Sequence, residues 1–75
     1  MFERVREFER GGARYTLYRG GSFTLFREED DGATGIGTID QAGDAFAVSC
    51  WWHPEVKPVV ASLEEALDVL LERSG

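Results

Sequence analysis

Cysteine, histidine, proline and methionine are all scarce in this chain: one cysteine, one histidine, one methionine and two prolines in 75 residues. A single cysteine closes no internal disulfide, so no covalent staple supports the core. The lone thiol fits a reducing compartment. One cysteine and one histidine also fall short of the roughly four ligands of a zinc site, and no metal or other cofactor is expected. No stretch approaches the ~18 consecutive apolar residues of a membrane-spanning helix. The opening MFERVREFER is charged from residue 3 and has no apolar run, so no signal peptide is expected. A soluble cytoplasmic protein without a membrane partner is the resulting expectation. Missing too are a phosphate-binding P-loop, a dinucleotide fingerprint and a G-x-S-x-G nucleophile elbow.

What remains is compact in its implications. Seventy-five residues make one domain, 1–75. A domain this small buries only ~60% of the surface of its unfolded chain. The 43% hydrophobic content, with five phenylalanines, two tyrosines and two tryptophans, is enough for a globule and too much for a disordered chain. The net charge of −6 is unevenly spread. Residues 1–27 hold six arginines against three glutamates, a surplus of three positive charges. Residues 28–75 hold Lys57 and Arg73 against eleven acids, a surplus of nine negative, and the two segments give the −6. The acidic total argues against non-specific nucleic-acid binding, which rests on neutralising phosphates. The basic first segment leaves room for a local patch.

The chain divides into strand patterns followed by a helix. Residues 2–10 fit a short helix through Phe2, Val5 and Phe8, or a strand; the strand is preferred. With Gly11-Gly12 as a two-residue hairpin loop, Glu9 faces Arg14, Phe8 faces Tyr15 and Val5 faces Tyr18, combining a charge pair with an aromatic pair. Residues 14–19 and 22–27 form a second hairpin through Gly20-Gly21. Read as a two-residue turn, it sets Tyr18 opposite Phe23, Leu17 opposite Thr24, Thr16 opposite Leu25 and Tyr15 opposite Phe26. One face then carries Tyr18, Phe23 and Leu25, and the other Tyr15, Leu17 and Phe26. The two Arg-Gly-Gly triplets (10–12 and 19–21) are accounted for by these turns.

Residues 28–35 read as an acidic loop. Residues 35–40 read as a weak strand whose glycines signal a bulge or close backbone approach, with Gly43 in the left-handed position of the following turn. From Ala45 to Trp52 the chain alternates. Phe46, Val48, Cys50 and Trp52 are expected in the core, and Ala45, Ala47, Ser49 and Trp51 on the other side. Pro54 and Pro58 limit residues 56–60 to an extended edge segment. Ser62 and Glu65 make a capping box. Leu63, Ala66, Leu67, Leu70 and Leu71 line one helical face, with Glu64, Glu65, Asp68 and Glu72 opposite. Arg73 complements the helix dipole at the far end. The expected fold is α+β: an antiparallel meander of four to five strands with one C-terminal helix packed on one face.

Two clusters invite chemistry. Cys50 and His53 form a C-x-x-H pair, but a cysteine in an apolar alternation behaves as a small buried hydrophobe, and His53 suits a solvent edge before a turn. The acids of residues 28–31 lack the spacing of a calcium loop, so a solvated loop explains them. The aromatics are the more informative feature. A sheet with two apolar faces and one helix leaves a face uncovered. The expectation is a non-enzymatic interaction module that self-associates as a homodimer, or binds another protein, through Tyr18, Phe23, Leu25, Arg14, Arg27 and Trp51. The alternative is a single-stranded nucleic-acid binder using the Arg- and aromatic-bearing hairpin 14–27.

Overall fold

A computed structural model describes residues 3–52 and 57–74. The expected places of Phe2, His53, Pro54 and Val56, and of the Arg73 side chain, lie outside the described residues. Six strands, β1 (Glu3–Arg10), β2 (Ala13–Gly20), β3 (Ser22–Glu29), β4 (Gly32–Ala42), β5 (Ala45–Cys50) and β6 (Val59–Val60), precede the helix α1 (Leu63–Ser74). The strands follow one another in space as they do in sequence, each antiparallel to the next. The architecture is therefore the expected antiparallel meander with a C-terminal helix, and the count of four to five strands becomes six. The extra strand is Val59–Val60. It is short because Pro58 has no N–H to give to the ladder, although its carbonyl accepts a bond from the Val48 N–H at 2.9 Å.

The first hairpin has the expected register. Gly11 and Gly12 hold φ angles of 60° and 81°, and Phe8 pairs with Tyr15 and Glu9 with Arg14. Beyond Arg6 the pairing departs from expectation. Val5 is bulged out, so Arg4, not Val5, lies opposite Tyr18. The second hairpin is shifted by one residue from the expected register. Only Gly21, φ 92°, sits at its tip, and Leu17 pairs with Leu25, Tyr18 with Thr24 and Arg19 with Phe23. A one-residue slip moves every side chain of one strand to the other face. Burial decides between the registers. The expected one puts a threonine across from each leucine on both faces. The observed one gathers Leu17 and Leu25, both 0% exposed, on one face and leaves Thr16 and Thr24 on the other.

The expected acidic loop at 28–35 is also corrected. β3 runs to Glu29 and β4 starts at Gly32, with Glu28 paired to Ala33, so only Asp30 and Asp31 turn the chain. β4 carries the expected bulge: Leu25 pairs with Gly37 and Phe26 with Gly35, leaving Ile36 unpaired and buried. Gly43 turns the chain into β5 with φ 64°, as expected.

One inner row of the sheet runs Leu17, Leu25, Gly37, Cys50, and the next runs Phe23, Ile39, Val48. The helix covers β4, β5 and β6 on this side. It buries Ala66, Leu67 and Leu70, with Leu63, Val69 and Leu71 packed at the margins. Cys50 is 1% exposed within this core. The Ser62 Oγ accepts the Glu65 N–H at 3.2 Å, one half of the expected capping box. Trp52, expected beside Cys50 in the core, is 56% exposed. The β5 ladder ends at Cys50, so the alternation that would have turned Trp52 inward stops before reaching it.

The sheet curls far enough for its first strand to reach the last element. Arg6 pairs with Glu64, and Arg10 meets Asp68 at 2.6 Å. The basic first segment and the acidic helix thus neutralise each other across the inner opening. Among the described residues, no helix is long and apolar enough to cross a membrane.

Candidate interaction surface

The outer side of the sheet carries its own rows. One runs Arg4, Tyr18, Thr24, Thr38, Ser49. The next runs Glu7, Thr16, Phe26, Gly35, and the third runs Glu9, Arg14, Glu28, Ala33. Strand alternation puts these residues opposite the core set. Tyr18 and Phe26 sit on adjacent strands one row apart, close enough for an edge-to-face contact with centroids at 5.7 Å. Trp51 follows directly on β5 and is held there by its N–H, which donates to the Ile36 carbonyl at 3.0 Å. Its ring lies over Gly35, where any Cβ would overlap the indole. It meets Phe26 edge-on at 6.4 Å. Both ring contacts are near perpendicular, 79° and 87°, the arrangement favoured by aromatic quadrupoles.

The result is a line of three aromatic rings across β2, β3 and the end of β5. Around it lies a hydroxyl-bearing floor of Thr16, Thr24, Thr38 and Ser49. Thr16 is 0% exposed, and its buried hydroxyl donates to Glu28 Oε1 at 3.1 Å. Trp51 is 51% exposed. Charged residues of both signs, Arg4, Glu7, Glu9, Arg14, Glu28 and Asp40, rim the patch. An aromatic centre inside a polar rim is the anatomy of a protein–protein contact.

The expected surface residues divide between the two faces. Tyr18, Trp51 and Arg14 stand on the outer side. Phe23, Leu25 and Arg27 do not, because the one-residue shift of the second hairpin carries them inward. Leu25 is fully buried, Phe23 packs against the core cluster, and Arg27 lies across from Tyr15 with its guanidinium 3.1 Å from Glu29. Phe26 takes their place on the outer face. The polarity of the two hairpin strands contained the signal: Thr16-Leu17 and Thr24-Leu25 alternate in step only in the observed register.

Two concavities lie elsewhere. A cleft of about 170 Å³ between β1 and α1 is lined by Arg6, Phe8, Glu9, Arg10, Glu64 and Leu67. This is below the ~300 Å³ where small-molecule pockets begin. A wider, open hollow of about 470 Å³ at the hairpin ends is walled by Arg14, Arg27, Glu9, Glu28, Glu29 and Asp30, without the apolar lining of a ligand pocket. Among the described residues, no three His, Cys, Asp or Glu side chains are grouped to hold a metal ion. Comparison of the chain with protein-family models, with curated proteins and with solved structures finds no match in any of the three.

Proposed function

We propose that this protein is a small non-enzymatic interaction module of the cytoplasm that binds a second copy of itself through the outer face of its sheet. Tyr18, Phe26 and Trp51 form the centre of the contact, and Arg4, Arg14, Glu7 and Glu28 its rim. The observation that carries this reading is the placement of Trp51. A large, half-exposed indole is seated over Gly35 and braced by Phe26, on a face that no other described element covers. A rigid aromatic contributes contact area at low entropic cost, which is why such residues anchor interfaces.

The test is light scattering across a concentration series, with Trp51→Ala and Tyr18→Glu as variants. The expected result is a dimer that both variants weaken by about tenfold or more in Kd, the scale of an interface anchor, with circular dichroism unchanged. A monomer at every concentration sinks the reading.

Single-stranded nucleic acid is the rival partner. It would need the arginines of the 14–27 hairpin to be free beside the rings. Arg19 is instead 3.1 Å from Glu3, Arg27 is engaged by Glu29, and Arg14 stands between Glu9 and Glu28 in the ladder. Binding of an oligonucleotide at low salt, weakening steeply as salt is raised, would restore that rival.

A further inference from the structure

β1 is the long free edge of the sheet. Seven of its eight residues are exposed, and only Phe8 is half-buried. Bare edges template pairing with other strands, and charged side chains usually guard them. Charges of a single sign repel in every register. The sequence of β1, Glu-Arg-Val-Arg-Glu-Phe-Glu-Arg, mixes both signs in an order that has a consequence when the strand meets its own copy.

Two identical antiparallel strands in one sheet are related by a two-fold axis normal to that sheet. The axis passes through one residue, which then faces itself. Which backbone groups are available follows from the hairpin. Arg10 and Ala13 close the two-residue Gly11-Gly12 loop, so their N–H and C=O groups point at each other. Those of Glu9 and Glu7 therefore point outward, toward open solvent.

With the axis at Glu7, Arg6 lies opposite Phe8 of the second copy. Val5 is already bulged out against β2. If it stays out of the new ladder too, Arg4 falls opposite Glu9, and Glu3 opposite Arg10. Each pair shares a face: Glu3, Arg6, Phe8 and Arg10 are on the inner side, and Arg4, Glu7 and Glu9 on the outer. By symmetry every pair occurs twice, so four opposite-charge pairs surround a single Glu7–Glu7 contact. Without the bulge, Arg4 would face Arg10 and Val5 would face Glu9.

The other centres fare worse. An axis at Phe8 sets Glu7 against Glu9 and Arg6 against Arg10. An axis at Arg6 sets that arginine against itself and Glu3 against Phe8, leaving Glu7 against Arg4 as its one kind of opposite-charge pair. An axis at Glu9 leaves almost no overlap. Opposite charges directly across a ladder stabilise it and like charges do the reverse, so one register is selected.

We propose that β1 is a second self-recognition element, pairing edge to edge with β1 of another copy about Glu7 to continue the sheet across the two molecules. This contact uses backbone and charge and none of the three aromatic rings; it shares Arg4 and Glu7 with the rim of the outer face but does not need the rings to be in contact. Its axis is normal to the sheet, whereas an axis for face-to-face contact lies parallel to it, so both can operate in one closed assembly.

The test is a charge exchange. Arg4→Glu alone and Glu9→Arg alone each put like charges across the contact twice. A mixture of the two variants restores opposite charges at both places in the hetero-pair. Amide hydrogen exchange at Glu7 is the readout, because that N–H is free in a single copy and bonded in the pair. The expected result is fast exchange in each variant alone. On mixing at about ten times the dissociation constant, exchange should slow about tenfold. Glu7→Gln in the otherwise unchanged protein should also slow exchange at that amide relative to the parent, since it removes the one like-charge contact. Fast exchange at residue 7 both on mixing and in Glu7→Gln overturns the proposal, even if light scattering reports a dimer; such a dimer would belong to the outer face. Conversely, slowed exchange that Trp51→Ala leaves intact supports the edge contact whatever the fate of the face.

Discussion

Leu70 of the helix reaches into the space that a side chain at residue 37 of the sheet would occupy: a Cβ on Gly37 would lie 2.7 Å from Leu70 Cδ2. Helix and sheet approach so closely here because the row Leu17, Leu25, Gly37, Cys50 has a gap at its third place, and Leu70 fills it. A glycine that weakens a strand by itself thus becomes the docking point of the only helix among the described residues.

Gly37→Ala is therefore expected to destabilise the fold by about 1–3 kcal/mol, the usual cost of overpacking. The new methyl would press on the Ser49 carbonyl and the Cys50 backbone as well as on Leu70, and backbone cannot swing aside. Urea denaturation would show a lower midpoint with an unchanged slope. Leu70→Ala in the same protein should relieve part of that clash, so the double variant should lose less than the two single losses added together.

At Gly35 the same substitution should have a different outcome. The obstacle there is the ring of Trp51, a half-exposed side chain at the end of β5 that can move. Gly35→Ala should cost under about 1 kcal/mol of stability but push the indole off Phe26. In a Trp52→Phe background, the remaining tryptophan fluorescence should shift to the red. An unchanged spectrum would mean that Trp51 does not rest on Gly35 in solution.

Ser62→Ala removes the side-chain oxygen that accepts the Glu65 N–H. The expected loss is ~1 kcal/mol, read as a fall in thermal midpoint. Ser62→Asp should keep the cap and favour the positive end of the helix dipole, so it should restore most of that loss.

The ion pairs from β1 to α1 should contribute little by themselves. Arg10 and Asp68 are 48% and 60% exposed, and water and salt screen such pairs, so a double-mutant cycle should give a coupling under about 1 kcal/mol that fades as salt is added. A coupling several times larger would show that closure of the curled sheet on the helix depends on this bridge.

Much of this fold is legible along the chain because the signals are local. The Gly11-Gly12 loop sets the pairing of Phe8 with Tyr15 and Glu9 with Arg14. Ser62 and the leucine stripe place the helix and its buried side. The alternation of Phe46, Val48 and Cys50 places the strand beneath it. In each case the deciding contacts lie within a few residues of one another, so propensity and periodicity suffice.

The candidate surface depended on something longer in range. Gly20-Gly21 by itself suits a two-residue turn, and that turn would put Phe23 and Leu25 beside Tyr18. Burying Leu17 and Leu25 together in the core cluster that also holds Leu67 and Leu70, more than forty positions away, outweighs the local turn preference and brings Phe26 to the outer face instead. Trp51 and Trp52 are neighbours in an apolar run, yet both are exposed: Trp51 lies on the outer face, and Trp52 stays out of the core because the ladder stops at Cys50. Arg6 and Arg10 of the first strand and the acids of the helix look like separate charges along the chain and become partners only when the sheet curls. The sequence by itself determined which elements form, because each is specified by neighbouring residues. The tertiary structure alone decided which side chains share a face, because register is set by burial against an element distant in the chain.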